Sequence, residues 1–197
     1  YLELHGLSVQ LTEALAEMKE LAEGLDNWDG TDPEEGARLY HEAAQALAAS
    51  GYDPDLMAAF FAELDPLNAQ MLAQRMTSAN SNTAGEDMKT FSLAFSAAMK
   101  DSDPPQGMVD LKNLFAKPPV VDGTLNTTLA WGRLALLQEG DFPTEWLTTV
   151  VRANALDTFG GKDPDRTDFR GAGPYEVQAT GLPEDVLALA FGALKNN

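Results

Sequence analysis

The side chains in this sequence that could take part in catalysis or metal binding are mostly carboxylates. Thirty-one Asp and Glu residues accompany only two histidines, His5 and His41, and there is no cysteine. Without cysteine, disulfides, thiol nucleophiles, iron–sulfur clusters and cysteine-based zinc sites are excluded. The histidines belong to no HExxH motif, and neither a GxSxG nucleophile turn nor a GxxxxGK[ST] phosphate loop occurs. The sequence therefore predicts no enzyme and assigns no catalytic, cofactor-binding or metal-binding residue.

Calcium is the metal that closely spaced aspartates could bind, because it prefers oxygen ligands. Two sets of three aspartates have such spacing: Asp163, Asp165 and Asp168, and Asp26, Asp29 and Asp32. Counted from its first aspartate, neither set has the Gly at the sixth position or the Glu at the twelfth that an EF-hand loop requires. We interpret these aspartates as helix caps and turn residues. Irregular calcium binding is the alternative.

The composition implies a surface that carries mostly negative charge. Thirteen Lys and Arg residues against thirty-one Asp and Glu residues leave a formal charge of −18. Such a charge disfavours contact with nucleic acid or anionic lipid, and no apolar run reaches the ~18 residues of a membrane span. The expected partners are therefore proteins, or other domains of the same polypeptide. An acidic surface keeps a protein in solution, and it also attracts a basic partner.

The clearest helical pattern lies in the first segment of the chain. Two sets of apolar residues repeat every seven positions, and the second set is offset by three: Leu4, Leu11, Met18 and Leu25, then Leu7, Ala14, Leu21 and Trp28. This is the a/d stripe of an amphipathic helix of about six turns. The pattern favours packing against a neighbouring helix of the same domain over coiling with another chain.

Asp-Pro pairs indicate where later helices begin: Asp32-Pro33, Asp53-Pro54, Asp65-Pro66 and Asp103-Pro104. The Asp side chain accepts a free backbone N–H at a helix start, and Pro suits the first helical position because it has no N–H to satisfy. Further helices are predicted after Thr124 as an N-cap and from Pro143. Val120-Val121 predicts a very short extended piece.

The overall prediction is an all-α fold, an irregular array of about eight helices. It forms a single domain over residues 1–197, a length that can bury a core. A small, polar, aperiodic stretch at 77–85 is a possible boundary inside this domain. One long loop is predicted near 157–181, and long loops in compact domains tend to be functional or mobile.

A Trp-Asp-Gly motif lies between the first two predicted helices. We interpret Trp28-Asp29-Gly30 as a helix-terminating turn in which Gly30 adopts positive φ and Trp28 packs on the junction. Trp131 and Trp146 also fall near helix faces. All three tryptophans are therefore predicted to be core residues rather than a ligand platform.

The same motif resembles the WxG turn of small helical hairpin proteins secreted by type VII systems. More broadly, the chain is similar to an uncharacterised helical region of large actinobacterial proteins, the non-toxic middle of type VII-associated polymorphic toxins. The segments that carry this similarity are 28–30, 32–34, 52–54, 58–64, 140–147 and 187–197. The resemblance implies a secreted or cell-surface structural or delivery module, placed between an export-guiding N-terminus and a variable toxic C-terminus.

Three hypotheses of function follow. The first is a non-catalytic structural or delivery module of a larger secreted bacterial effector, acting through helix-surface protein interactions. The alternative is an acidic immunity-type protein that neutralises a basic toxin. If the family resemblance does not hold, the expected location is the cytoplasm. The third is an enzyme that uses Asp163, Asp165, Asp168 or Arg170 of the 157–181 stretch. The chain begins with Tyr, so we expect a processed product or a piece of a longer protein.

Overall fold

The computed structural model describes residues 2–157 and 169–197. Helices make up 70% of the structure and strands 3%, so the all-α prediction is confirmed, with eleven α-helices in the described residues rather than about eight. In chain order they are α1 (Leu2–Asn27), α2 (Pro33–Ala49), α3 (Pro54–Glu63), α4 (Pro66–Gln70), α5 (Leu72–Ser78), α6 (Ala84–Ala98), α7 (Gln106–Phe115), α8 (Thr127–Ala135), α9 (Thr144–Val151), α10 (Pro174–Thr180) and α11 (Val186–Lys195). A π-helical turn, Arg152–Leu156, follows α9, and two short strands, β1 (Val120–Val121) and β2 (Thr124–Leu125), lie between α7 and α8.

One additional helix arises because the helix predicted after Asp65-Pro66 is split into α4 and α5. Met71 separates them, with backbone angles φ −123° and ψ 26° outside the helical range. The break coincides with a close approach of α8, since a β-carbon on Gly132 would lie 2.2 Å from the carbonyl oxygen of Gln70. The split is therefore associated with tertiary packing, which apolar periodicity does not report.

Another additional helix, α10, lies inside the stretch predicted as a loop. Pro174 occupies its first position, and the Glu176 side chain accepts a hydrogen bond from the Gly173 N–H at 3.0 Å. Gly181 ends the helix with φ +71°, a left-handed conformation that glycine adopts without strain. The prediction of one continuous loop near 157–181 is therefore wrong for this helix, because its start and stop signals are local.

Three of the four Asp-Pro helix starts are confirmed. The side chains of Asp32, Asp53 and Asp65 accept backbone N–H groups at the starts of α2, α3 and α4. The prediction for Asp103 is wrong, because α7 begins two residues later, after Pro105. Pro104 is followed by a second proline, Pro105. The residue before a proline avoids helical backbone angles, so the helix does not begin at Pro104.

The short extended piece is confirmed as a hairpin, in which Val120–Val121 pairs with β2 in antiparallel register. Its turn is formed by Asp122 and Gly123, both with positive φ (49° and 77°), as a tight hairpin turn requires. The turn places Thr124 in β2, so its predicted role as an N-cap is wrong. Asn126 caps α8 instead, through a side-chain oxygen that accepts the backbone N–H three residues later.

The polar stretch at 77–85 is mostly helical at its two ends. α5 continues through Ser78 and α6 begins at Ala84, so the connection is residues 79–83. Within it, Ser81 is only 5% exposed. Buried apolar residues from both sides of this connection belong to the same core cluster.

Aromatic side chains form the centre of that core. Phe95 on α6 is fully buried, and its ring lies 4.9 Å from the ring of Phe61 and 5.0 Å from that of Phe115, measured between centroids. The rings of Phe142 and Trp146 lie at 6.0 and 6.2 Å. Residues far apart in the chain therefore meet around one side chain, and each such pair adds about 1 kcal/mol beyond its burial.

The interpretation of the Trp-Asp-Gly motif is confirmed. Trp28 is 6% exposed, its indole N–H donates to the carbonyl oxygen of Asp32 at 2.8 Å, and Gly30 has φ +85°. Trp131 is fully buried and Trp146 is half-buried against the core. The three tryptophans are core residues, as predicted.

Arg75 of α5 stabilises the junction between α1 and α2 through hydrogen bonds. Its Nη2 donates to the carbonyl oxygens of Leu25 and Trp28, both at 2.9 Å, and its Nε donates to the Tyr40 hydroxyl. Its guanidinium also lies 5.3 Å from the Trp28 ring centroid. A cation therefore satisfies carbonyl groups at the C-terminal end of α1, where the helix dipole favours positive charge.

Because Trp28 packs directly on α2, adding a single methyl group at Gly36 should have a predictable effect on stability. A β-carbon at Gly36 would lie 2.4 Å from the Trp28 ring. We expect Gly36→Ala to lower the free energy of unfolding by about 2 kcal/mol, because overpacking outweighs the helix preference for Ala. Urea denaturation followed by circular dichroism measures the change.

Gly24→Ala on α1 is the matched control. A β-carbon there meets its nearest neighbour, Leu39, at an ordinary 3.7 Å. This substitution should raise the free energy of unfolding by up to about 1 kcal/mol. Stabilisation by both substitutions would contradict the packing of Trp28 on Gly36.

Candidate functional site

The aspartates of the first predicted calcium set are engaged in structural hydrogen bonds. Asp26 accepts the Asp65 N–H at 2.9 Å and the side-chain amide N–H of Asn68 at 2.8 Å. Asp29 accepts both the backbone N–H and the hydroxyl of Thr31, at 2.9 and 2.6 Å. Asp32 is the N-cap of α2. The interpretation as cap and turn residues is confirmed for Asp29 and Asp32, whereas Asp26 lies within α1 and forms tertiary hydrogen bonds to the start of α4.

The second set, Asp163, Asp165 and Asp168, lies outside the described residues. Arg170 is described, and its Nε lies 3.5 Å from a carboxylate oxygen of Glu184, with both side chains largely exposed. Across residues 2–157 and 169–197, no group of three His, Asp or Glu side chains is placed to hold a metal ion. Nor does any helix in these ranges combine the length and apolarity needed to cross a bilayer.

A polar cluster that the sequence did not reveal connects α2 to the start of α6. His41 Nδ1 lies 3.2 Å from both carboxylate oxygens of Asp87 and 3.2 Å from the Thr83 hydroxyl. Thr83 donates to Asp87 at 2.7 Å, and the Ser81 hydroxyl lies 3.3 Å from that of Thr83. The Asp87 side chain is 5% exposed, whereas that of His41 is 39% exposed. Forty-six positions separate the two residues, and no motif links them.

The geometry of this cluster suits a structural link between two helices better than a catalytic site. An ionised carboxylate only accepts hydrogen bonds, so Asp87 orients His41 with its proton on Nδ1. The two hydroxyl groups lie on that same Nδ1 side, beside the carboxylate. A hydrolase requires its nucleophile at the other ring nitrogen. The cluster therefore joins two helices and lacks the geometry of a triad.

An open cavity of about 650 Å³ adjoins this cluster, lined by residues 77, 78 and 80–82 and by the exposed face of α10. Its lining is mostly hydroxyl and amide groups, together with Glu176 and the 76%-exposed ring of Tyr175. None of the described residues that line it is Lys or Arg. The described part of the lining therefore supplies none of the cationic groups that recognise phosphate or carboxylate ligands.

Arg133 is a buried cation whose role is also structural. It is 2% exposed and donates to Gln70 Oε1 and the Lys117 carbonyl oxygen at 2.8 Å, and to Asn154 Oδ1 at 3.0 Å. Burial lowers the pKa of Arg133 to about 10. Asn154 belongs to the π-helical turn, a feature frequent at functional sites. Here the turn supplies an oxygen to a guanidinium whose acceptors among the described residues are all neutral.

The heptad stripe of α1 is buried in its C-terminal half. Met18, Leu25 and Trp28 are 2%, 0% and 6% exposed and belong to the core cluster. In this region α1 contacts α2 and α3. For this half, predicted packing within the same domain is confirmed.

The N-terminal half of the same stripe is exposed. Leu4, Leu7 and Leu11 are 72%, 62% and 47% exposed, and every residue from 6 to 13 is exposed. For this half the prediction of packing within the domain is wrong, because α1 is longer than either helix it packs on. Its 26 residues extend ~39 Å, against ~26 Å for the 17 residues of α2 and ~15 Å for the 10 residues of α3. We call these three leucines, together with Ala14, which is half-buried and packs partly against the core of its own chain, the exposed stripe.

The exposed stripe has the features of an interaction surface. Helical segments shorter than about 12–15 residues are marginal in water without tertiary packing. Contiguous apolar side chains on a surface are also unfavourable, and such patches usually mark interaction sites. The stripe therefore combines a helix without tertiary support with a row of unpartnered leucines. Among the described residues, it is the strongest candidate for a functional site.

Two carboxylates lie at the point where α1 leaves the body of the domain. Asp55 and Asp101 line a shallow cavity of about 290 Å³, together with Leu15. The negative charge of Asp101 raises the pKa of Asp55 above its usual value of 3.8. A carboxyl group whose pKa is raised on folding contributes stability below pH 3.8, and this contribution is lost as the pH rises through the folded-state pKa.

Removal of the Asp101 charge should therefore stabilise the protein at neutral pH. We expect Asp101→Asn to raise the free energy of unfolding at pH 7 by a few tenths of a kcal/mol, roughly the size of an exposed charge pair. At pH 3, where Asp55 is protonated, the gain from relieved repulsion should disappear, and salt should reduce it. Urea denaturation at both pH values, with carboxyl NMR titration of Asp55, measures these effects. An unchanged Asp55 titration curve would contradict the interaction.

Comparison with known proteins adds no relative. No protein family, curated protein or solved structure matches this chain. The resemblance to type VII-associated toxin regions therefore stays an expectation, and function has to be inferred from the geometry of the chain's own residues.

Proposed function

We propose that this chain is a non-catalytic helical module that acts by protein–protein contact, as part of a larger secreted bacterial effector. The observation that carries the proposal is the exposed stripe of α1. Three leucines and an alanine repeat at heptad positions on a helix whose residues 6–13 are exposed. The unpartnered apolar surface supports a role in binding.

The spacing of the stripe identifies the kind of partner. Positions 4, 7, 11 and 14 alternate by three and four residues, which keeps one face of a helix directed at another helix that crosses it at a small angle. A flat sheet imposes no such period, whereas a hydrophobic groove that binds a helix does. We propose an amphipathic helix with its own heptad row of apolar side chains as the occupant, because the stripe continues the a/d pattern of a helix pair.

Site-specific photo-crosslinking in the producing cell tests this role. A benzoylphenylalanine residue at position 7 lies on the stripe, whereas one at position 9 lies about 180° away on the same helix. Val9 is itself apolar and 44% exposed, so it is a matched control. We expect a crosslinked product from position 7, mapped by mass spectrometry to an apolar heptad helix, and little from position 9. Equal labelling from both positions, or none, would overturn the proposal.

A second candidate is the acidic immunity-type protein that binds a basic toxin. The formal charge of −18 and the mutual repulsion between Asp55 and Asp101 favour it, since a cationic partner would relieve that repulsion. Binding of this kind is fast at low ionic strength and weakens steeply with salt.

This alternative predicts a measurable salt dependence. The chain should bind a basic toxin encoded beside its gene at 20 mM salt, and Asp101→Asn should slow association more than it speeds dissociation. Surface plasmon resonance at several salt concentrations separates the two rates. Failure to bind any such toxin at low salt would exclude the alternative.

A further inference from the structure

We propose that the helix which covers the exposed stripe is α1 of a second copy of this chain, paired antiparallel across residues 4–14. This inference rests on the proposed function, because it names the partner of the same stripe. In an antiparallel pair, a positions face d positions of the partner helix. Leu7 of one copy then faces Leu11 of the other, and Leu4 faces Ala14. The stripe is self-complementary in this register.

The residues that flank the stripe allow self-association in spite of the charge of the chain. Residues 4–12 contain no Asp, Glu, Lys or Arg, although the whole chain carries a formal charge of −18. The flanking heptad positions in this segment are Ser8 and Gln10, both exposed. Like charges at such positions are a common means of preventing self-pairing. Here the flanks are neutral and polar, so two copies meet without charge repulsion at the contact.

The direction of pairing follows from the position of the domain body. From Met18 onwards the same stripe faces α2 and α3 of its own chain. A parallel pair in register would place both bodies on the stripe side at the same end, where they would collide. An antiparallel pair places the bodies at opposite ends, and this also separates the two acidic surfaces.

The size of the contact sets its strength. The paired segments are 11 residues long, a helix length of ~17 Å. A pair this short buries well below the ~1,200 Å² of a stable interface. We therefore expect a reversible dimer with a dissociation constant in the micromolar range or weaker.

Sedimentation equilibrium of the whole chain tests the proposal. The wild-type protein should show a monomer–dimer equilibrium, and Leu7→Gln and Leu11→Gln should each raise the dissociation constant at least tenfold. Val9→Gln, on the opposite face of α1, should leave it within about twofold. These side chains lie outside the core, so circular dichroism melting should show that all variants remain folded. A monomer at all concentrations, or an equal effect of Val9→Gln, would overturn the inference.

Disulfide trapping tests the antiparallel register. Because the chain has no cysteine, the single variants Leu7→Cys and Leu11→Cys report only on the introduced thiols. Under mild oxidation, an equimolar mixture should form mostly the 7–11 disulfide, and each variant alone should form much less dimer. Preferential 7–7 and 11–11 products would indicate parallel pairing and contradict the register.

The crosslinking and sedimentation experiments distinguish the two proposals. If position 7 crosslinks to the helix of a different protein and the purified chain stays monomeric, the interaction module stands and self-association fails. If position 7 yields no specific product and the chain stays monomeric, both fail. A position-7 product that joins two copies of this chain supports both.

Discussion

The attachment of α1 at its C-terminal end is the constraint on which the exposed stripe depends. Arg75 reaches from α5 to two carbonyl oxygens at that end and to the Tyr40 hydroxyl, and it lies against Trp28. Several charge-assisted contacts fix the helix there, and such bonds are stronger than neutral ones. Since an α-helix is stiff over this length, holding one end also sets the direction of the other. The leucines near the N-terminus are thereby carried beyond α2 and α3.

Part of the acidity of the chain has an architectural cause. A fold of many short helices has many starts, and each start leaves backbone N–H groups without intrahelical partners. Aspartates supply the acceptors at several of them: Asp32, Asp53, Asp65 and Asp185. A formal charge of −18 is therefore partly a consequence of capping. For this reason the charge argues less strongly for a basic partner than the exposed leucines argue for a helical one.

The buried polar residues join helices that are distant in the sequence. His41 and Asp87 connect α2 to α6, and Arg133 connects α8 to α4 and the π-helical turn. Such groups are costly to bury unless they are paired, and here nearly every hydrogen-bonding atom has a partner. Among the described buried side chains, Gln74 Oε1 lacks one. A network this well satisfied holds its members in place, which is consistent with a scaffold.

The sequence by itself determined the features that depend on neighbours in the chain. Asp-Pro starts at Asp32, Asp53 and Asp65 and the turn at Gly30 were predictable, because capping and positive φ are local. The all-α class followed from helical periodicity. The pairing of His41 with Asp87 was not predictable, because it joins residues with no shared motif. Tertiary structure alone decided which half of the α1 stripe is buried, since periodicity reports an apolar face and not the length of the helices that cover it.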